Sequence, residues 1–392
     1  MTAAAVRPLP ITGHASVHAL GGTRAEILAA LAAGRTGLAP HDGLFPVQTV
    51  TGAVRTELPQ LPAPLAPWST RVSRMAALLV QQLDAPLARA RARWRSERIA
   101  VLLGTSTAGA ETTERAYRTY VERGALPAEF DFRRQHTYGA VLHVVSSLAG
   151  VRGPAWMVST ACTSSAKPFA SAQRLIAAGV IDAAIVGGID TLCSMTLLGF
   201  QSLGALDRNA CRPFGAGRAG INLGEGGALA LLERDGEAPV LLAGVGESSD
   251  AYHISAPHPE GRGALDAMAA ALAQAGCRAQ DVDHINAHGT GTRLNDVAEA
   301  VAIGALFGGD VPVVSTKGFT GHTLGAAGAI EVAFAAHAIE EGWIPASLGA
   351  APLDPQVTIR VPTAVTRAPF RRVLSNSFAF GGNNVSVLLR AP

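Results

Sequence analysis

The chain is sparing in several things at once. Of its 392 residues only four are cysteine, Cys162, Cys193, Cys211 and Cys277, and their spacing builds neither a disulfide framework nor a metal-ligand set. That suits a reducing compartment, and a cytoplasmic location is expected. Charged residues make up only 16% of the chain and nearly cancel, at a formal net charge of +2. No Lys/Arg run with interleaved aromatics occurs, which excludes a general nucleic-acid binder. The one locally basic stretch, RARARWRSER over 89–98, has the spacing of a solvated helix face. No window reaches the roughly 18 to 20 uninterrupted apolar residues of a membrane span. Residues 1–10 hold no apolar stretch long enough for a secretory signal, so no membrane association is expected.

What the chain has is apolar bulk. Hydrophobic residues are 48% of the total, enough for a large core and a buried subunit interface. Short apolar runs at 99–103, 183–186 and 228–232 alternate with Ala-rich helical stretches, which predicts an α/β architecture around a buried, largely parallel sheet. The Pro-rich segment 58–67 reads as a loop. A faint repeat is also visible. Gly226-Gly227 followed by ALALLER parallels Gly381-Gly382 followed by NNVSVLLR, and the helices upstream correspond, one from Cys162 to Gly179 and one from beyond His322 to Gly342. The chain therefore divides into a half at 1–236 and a half at 237–392.

Three loops carry chemistry. In MVSTACTSS, 157–165, a short apolar run ends in small hydroxyl residues and a helical pattern follows, which puts the Cys162 thiol at a helix N-terminus, where the thiolate is favoured. NAHGTGT, 286–292, and TKGFTGHTLGAAG, 316–328, each place a histidine among Gly and Thr after a strand-like run. Glycine there permits sharp turns and close substrate approach, and the threonines offer hydrogen bonds to an amide-bearing ligand. His14, His41, His258 and His337 read as surface or satisfied core residues. One thiol with two histidines suits thioester chemistry, the thiol holding an acyl group and neutral imidazoles donating to an oxyanion or enolate.

The ordered set of motifs resembles the elongating β-ketoacyl-acyl-carrier-protein synthases over nearly the whole length: 159–165, Arg212-Pro213-Phe214, GEGG at 224–227, 288–292, 317–331 and NSFAFGG at 376–382. The resemblance implies the thiolase fold, two duplicated α/β halves layered α-β-α-β-α, and decarboxylative Claisen condensation of an acyl group on Cys162 with malonyl carrier protein, in fatty-acid, polyketide or polyene-type elongation. It implies that Cys162, His288 and His322 are catalytic with Lys317 and Glu331 in support, that the N–H groups of Cys162 and Phe380 form an oxyanion hole, and that Phe380 gates the site. Thr290 and Thr292 would hold the pantetheine arm, and Thr107, Phe200 and Phe378 would shape the acyl pocket. Arg212, with Arg71, Arg74, Arg133 and Arg134, would dock the acidic acyl carrier protein. The substrates ride on 4'-phosphopantetheine; no resident cofactor or metal is implied. The partner subunit would be a second copy or a related ketosynthase subunit.

Departures from the family pattern are Ala379 in place of a glycine in the gating loop, Asn383 for a threonine, and Lys167-Pro168 early in the nucleophile helix, with a kinked first turn expected there. A chain-length-factor type of subunit would lack the nucleophile, and a degradative thiolase needs a second cysteine near the C-terminus. A scaffold with a decayed site would not keep all three of Cys162, His288 and His322.

Overall fold

The computed structural model describes residues 6–41, 43 and 45–392. Its main sheet has ten strands: β1 (Leu9–His18), β2 (Ile99–Gly104), β3 (Ala155–Val158), β4 (Ala183–Asp190), β5 (Gly226–Glu233), β6 (Val240–Ser249), β7 (His284–Asn286), β8 (Val313–Val314), β9 (Arg372–Phe378) and β10 (Asn383–Arg390). The helices that frame it are α1 (Arg24–Ala32), α2 (Arg71–Gln82), α3 (Ala110–Arg123), α4 (Tyr138–Ala149), α5 (Lys167–Ala177), α6 (Ser194–Ser202), α7 (Arg262–Ala275), α8 (Arg293–Phe307) and α9 (Ala327–Glu341). None of the helices is long and apolar enough to cross a membrane, among the described residues.

The strand order is β8-β7-β9-β10-β6-β1-β5-β4-β2-β3. Read outward from the centre, the two halves are alike: β1-β5-β4-β2-β3 on one side and β6-β10-β9-β7-β8 on the other. Each runs antiparallel, antiparallel, parallel, parallel. The halves join where Leu9–Ile11 pairs antiparallel with 240–242. The sheet is thus mixed rather than largely parallel. The reason lies in the connections: β9 turns into β10 through four residues, 379–382, and so short a loop joins only antiparallel neighbours.

Alternation along the buried strands sorts the core. Ile99, Val101 and Leu103 face α2 and α4, while Ala100 and Leu102 face α5 and α9. In the second half, Ile285, Leu374 and Leu388 pack under α7 and α8. The layers are α2/α4, the first half-sheet, α5/α9, the second half-sheet, and α7/α8. Residues 327–338 of α9 are buried on every side, and its run of alanines lets both half-sheets close on it. Glycines on the sheet let the Cys162 turn settle down: a β-carbon at Gly104 would run into the Ser164 carbonyl, and one at Gly188 into the Gly104 carbonyl and Ser165.

Local expectations fare unevenly. The nucleophile helix begins at Lys167, not at Cys162, so Pro168 sits in its first turn, where no intrahelical N–H bond is required, and the helix itself is regular. The Pro-rich segment is not all loop, since it winds a 3₁₀ helix over Ala63–Trp68. The basic stretch is internally engaged: Arg93 pairs with Asp235 and lies over Trp94, and Arg98 pairs with Asp182.

Candidate active site

Between β3 and α5 the chain makes a tight turn that presents Cys162. Ala161 takes a positive φ of 53°, and Ser164 Oγ accepts from the Thr160 N–H (2.9 Å) while donating to the Ala161 carbonyl (2.6 Å). Ser165 ties this turn to the other half, donating its N–H to Gly325 O (3.0 Å) and accepting the Ala329 N–H on Oγ (2.9 Å). Between β8 and α9 a second turn presents His322. Cys162 and His322 stand at equivalent places in the two halves, each five residues before its helix (Lys167 and Ala327). They meet across the middle of the molecule, His322 Nε2 lying 3.0 Å from Cys162 Sγ.

Hydrogen bonds fix where the imidazole protons sit. His322 Nδ1 accepts the Leu324 N–H (3.1 Å), so in the neutral ring the proton is on Nε2, facing the sulfur. His288 Nδ1 faces the Lys317 ammonium at 3.4 Å, which again leaves the proton on Nε2. Burial, and then the Lys317 charge, push both imidazoles well below their ordinary value; for His288 the neighbouring His322 adds to this. Both rings are therefore neutral donors across the ordinary pH range. The rings stand edge to face, 5.3 Å apart at 84°, and one ligating atom from each of Cys162, His288 and His322 lies within 4.8 Å of the others.

Burial pushes the Cys162 thiol up to about 11. The Lys317 charge and the N–H groups of Phe380 and of Cys162 itself pull the other way without prevailing. Loss of hydration outweighs the favourable end of the turn, so the balance favours a thiol over the expected thiolate.

Lys317 is buried, and its ammonium touches the Glu331 carboxylate and the His288 carbonyl. Burial raises Glu331 to about 7 against the pull of Lys317. Two buried carboxylates passed over in the sequence support the His288 loop. Glu299 accepts the N–H groups of His288 (2.8 Å) and Gly289 (2.7 Å), and Asp296 accepts those of Phe214 (2.7 Å) and Gly291 (3.1 Å). Their signal was present: acidic residues three apart in the helix opening directly after a Gly-Thr-Gly-Thr loop.

A cavity of about 640 Å³ opens in front of the three side chains and is lined by Thr290, Thr292, Phe200, Phe378 and Phe380. The hydroxyls of Thr290 and Thr292 bond each other at 2.9 Å. Phe380, 40% exposed, lies against Phe200 with ring centroids 5.7 Å apart. Its loop is tied to the segment after β6 by Gly381 N–H to Ile254 O (2.8 Å) and Asp250 N–H to Gly382 O (2.9 Å). Ala379 is not among the residues of positive φ, so its methyl strains nothing in this conformation.

Thr107 is placed otherwise than expected. It is buried with its hydroxyl and its N–H on the Asp190 carboxylate (2.6 and 2.7 Å), and it does not line the cavity. Nor are all the arginines free. Arg71 is paired with Glu225, and Arg74 donates to the Leu58 and Pro59 carbonyls. Arg133 and Arg134 are exposed on the short helix Phe132–Gln135, with Arg134 over Trp68 and beside Asp131. Arg212 is exposed, its side chain laid against Gly217 and Gly349. Arg208, not picked out by motif, is exposed next to Gly204 and Leu206 and has no ion pair among the described residues.

A thiol facing two neutral imidazole donors, on paired strand-turn-helix units, defines a condensing enzyme of the thiolase type. The chain belongs to the β-ketoacyl synthase family: the model "Beta-ketoacyl synthase, N-terminal domain" matches residues 7–238 and "Beta-ketoacyl synthase, C-terminal domain" residues 240–351. It is 39% identical over 299 residues to nodulation protein E of Rhizobium meliloti (strain 1021), covering 73% of this chain and 74% of that one. It is 34% identical over 312 residues to 3-oxoacyl-[acyl-carrier-protein] synthase 2 of Staphylococcus aureus, covering 75% and 77%. Among solved structures it resembles the ketosynthase ApeO in complex with its chain length factor ApeC from Xenorhabdus doucetiae, with a TM-score of 0.93, 38% identity and 98% of each chain covered. The chain is a condensing acyltransferase, a ketosynthase.

Proposed function

We propose that this chain is the catalytic subunit of a ketosynthase heterodimer, elongating a polyketide- or polyene-type chain on carrier protein beside a chain-length-factor-like partner in the cytoplasm. The observation that carries the mechanism is the pair of Nε2–H donors of His288 and His322 turned to the side where Cys162 Sγ lies. In the first half-reaction Sγ attacks the thioester carbonyl of an acyl carrier protein, the bond to the carrier sulfur breaks, and the carrier thiol departs with the proton the cysteine gave up. The N–H groups of Cys162 and Phe380 hold the oxyanion.

In the second half-reaction malonyl carrier protein occupies the cavity, its pantetheine arm along Thr290 and Thr292 and its thioester oxygen on the two Nε2–H groups. The bond to carbon dioxide breaks, its electron pair forms the enolate, and the enolate carbon attacks the acyl carbonyl. The bond to Sγ then breaks, leaving β-ketoacyl carrier protein and a thiolate that takes up a proton. Lys317 keeps His288 neutral and oriented, and Glu331 holds Lys317 in place. No step of this scheme calls on a metal or a resident cofactor.

The partner subunit is supported by the edge of the sheet. β3 is the last strand and pairs on one side only, with Trp156 exposed along it and Tyr117, Tyr120 and Phe132 exposed on neighbouring elements. The ApeO relative pairs with a chain length factor. Arg133, Arg134, Arg208 and Arg212 supply the basic face for carrier protein. Intact-protein mass spectrometry of Cys162 acylation across a panel of acyl carrier proteins, with and without the co-expressed partner, tests this. Failure to load any acyl group would remove the catalytic role, and full elongation by the chain alone would remove the partner.

A further inference from the structure

His14 and His337 were expected to be ordinary surface or satisfied core residues; His14 is indeed satisfied by Glu340, whereas His337 is buried with its Nδ1 left without a hydrogen-bond partner. Among the described residues two groups of His, Cys, Asp or Glu side chains stand close enough together to hold a metal ion: Cys162, His288 and His322, and a second group formed by His14, His337 and Glu340, also within 4.8 Å of one another. His14 lies on β1; His337 and Glu340 lie one turn apart on α9, at its far end from Glu331, roughly 9 to 14 Å along the helix. Rigid elements, not loops, therefore set the geometry.

The distances suit coordination. His14 Nε2 is 3.2 Å from each carboxylate oxygen of Glu340, and His337 Nδ1 is 3.6 Å from Oε2. A tetrahedral ion with bonds of about 2.0–2.1 Å separates its ligands by about 3.3 Å, so these two edges need little adjustment. One polar atom of the group is also unused: His337 Nδ1 is buried without a hydrogen-bond partner.

We propose that His14, His337 and Glu340 form a metal site separate from the reacting cavity, for a divalent ion of the zinc class, pinning β1 to α9 with water at the fourth position. Arg24 also contacts Glu340, but it is 43% exposed and is already bonded to Glu341 (2.7 Å), to which it can retreat when a cation arrives. His14, His337 and Glu340 keep 10%, 7% and 12% of their side-chain surface, which leaves a way in.

The test separates this group from the catalytic one. Zinc is titrated calorimetrically into the full chain, in the assembly in which it is purified, carrying Cys162→Ala so that no thiolate competes. One ion per chain should bind and raise the melting temperature. His337→Ala on that background should weaken binding by at least tenfold, the loss seen even when supporting partners of metal sites are removed, and abolish the thermal shift. Should His337→Ala fail to fold, His14→Gln and Glu340→Gln give the same reading. No zinc binding by the Cys162→Ala protein, or binding that survives these changes but is lost in His288→Ala, would overturn the proposal.

Discussion

At the scale of single residues, the site sets two half-reactions against each other, and substitutions should divide them. Cys162→Ala should fold, since it leaves little cavity, and should lose acylation and condensation entirely; condensation by that variant would refute the assignment. Cys162→Gln, whose amide mimics an acyl group, should keep or raise malonyl decarboxylation relative to Cys162→Ala, read as carbon dioxide release. His288→Ala and His322→Ala should keep some acylation while losing decarboxylation by roughly 10²-fold or more, the cost of one oxyanion donor. Equal loss of both half-reactions in both variants would assign the histidines a structural task only.

The pH behaviour follows from the same environments. With the thiol pushed up to about 11, the thiolate fraction grows about tenfold per pH unit over the neutral range, and iodoacetamide alkylation of the resting enzyme should climb accordingly from pH 7 to 9. A plateau reached by pH 7 would mean a depressed thiol. Both histidines lie well below their ordinary value, so decarboxylation by the Cys162→Gln protein should show no limb near pH 6.5.

At the scale of elements, the Cys162 turn rests on glycine backbone. Gly104→Ala would drive a methyl into the Ser164 carbonyl, a backbone group that cannot swing away. It should cost about 1–3 kcal/mol of stability, as overpacking does, and lower the acylation rate more than Gly199→Ala, where the added carbon meets nothing. Equal acylation by the two variants would show that the turn does not depend on this seat. Elements differ in how readable they were. Cys162, His288 and His322 stand in short motifs whose Gly, Ser and Thr neighbours serve the turns locally, so the local pattern marks them and the ordered family motifs supply their roles. The partners of Thr107, Arg71 and Arg74, namely Asp190, Glu225 and the Leu58 and Pro59 carbonyls, were not legible because they are set by tertiary packing rather than by sequence neighbourhood. The mixed sheet was missed for a similar cause, since an apolar run has the same pattern whether its neighbour runs with it or against it.

At the scale of the whole molecule, β3 leaves one edge of a ten-stranded sheet unpaired, and a free edge with an exposed tryptophan invites another chain. Trp156→Glu should weaken the subunit interface and shift the assembly toward monomer in solution scattering; an unchanged assembly would place the interface elsewhere. The equivalence of the Cys162 and His322 turns has a consequence for descent. If the two halves were once identical chains paired about a two-fold axis, whatever residue stood at that turn would have met its own copy, thiol against thiol or imidazole against imidazole. A sulfur facing a ring nitrogen is out of reach for any such symmetric pair. It becomes available only once the two copies differ in sequence, as the two turns of this chain do, so divergence of the halves preceded the chemistry.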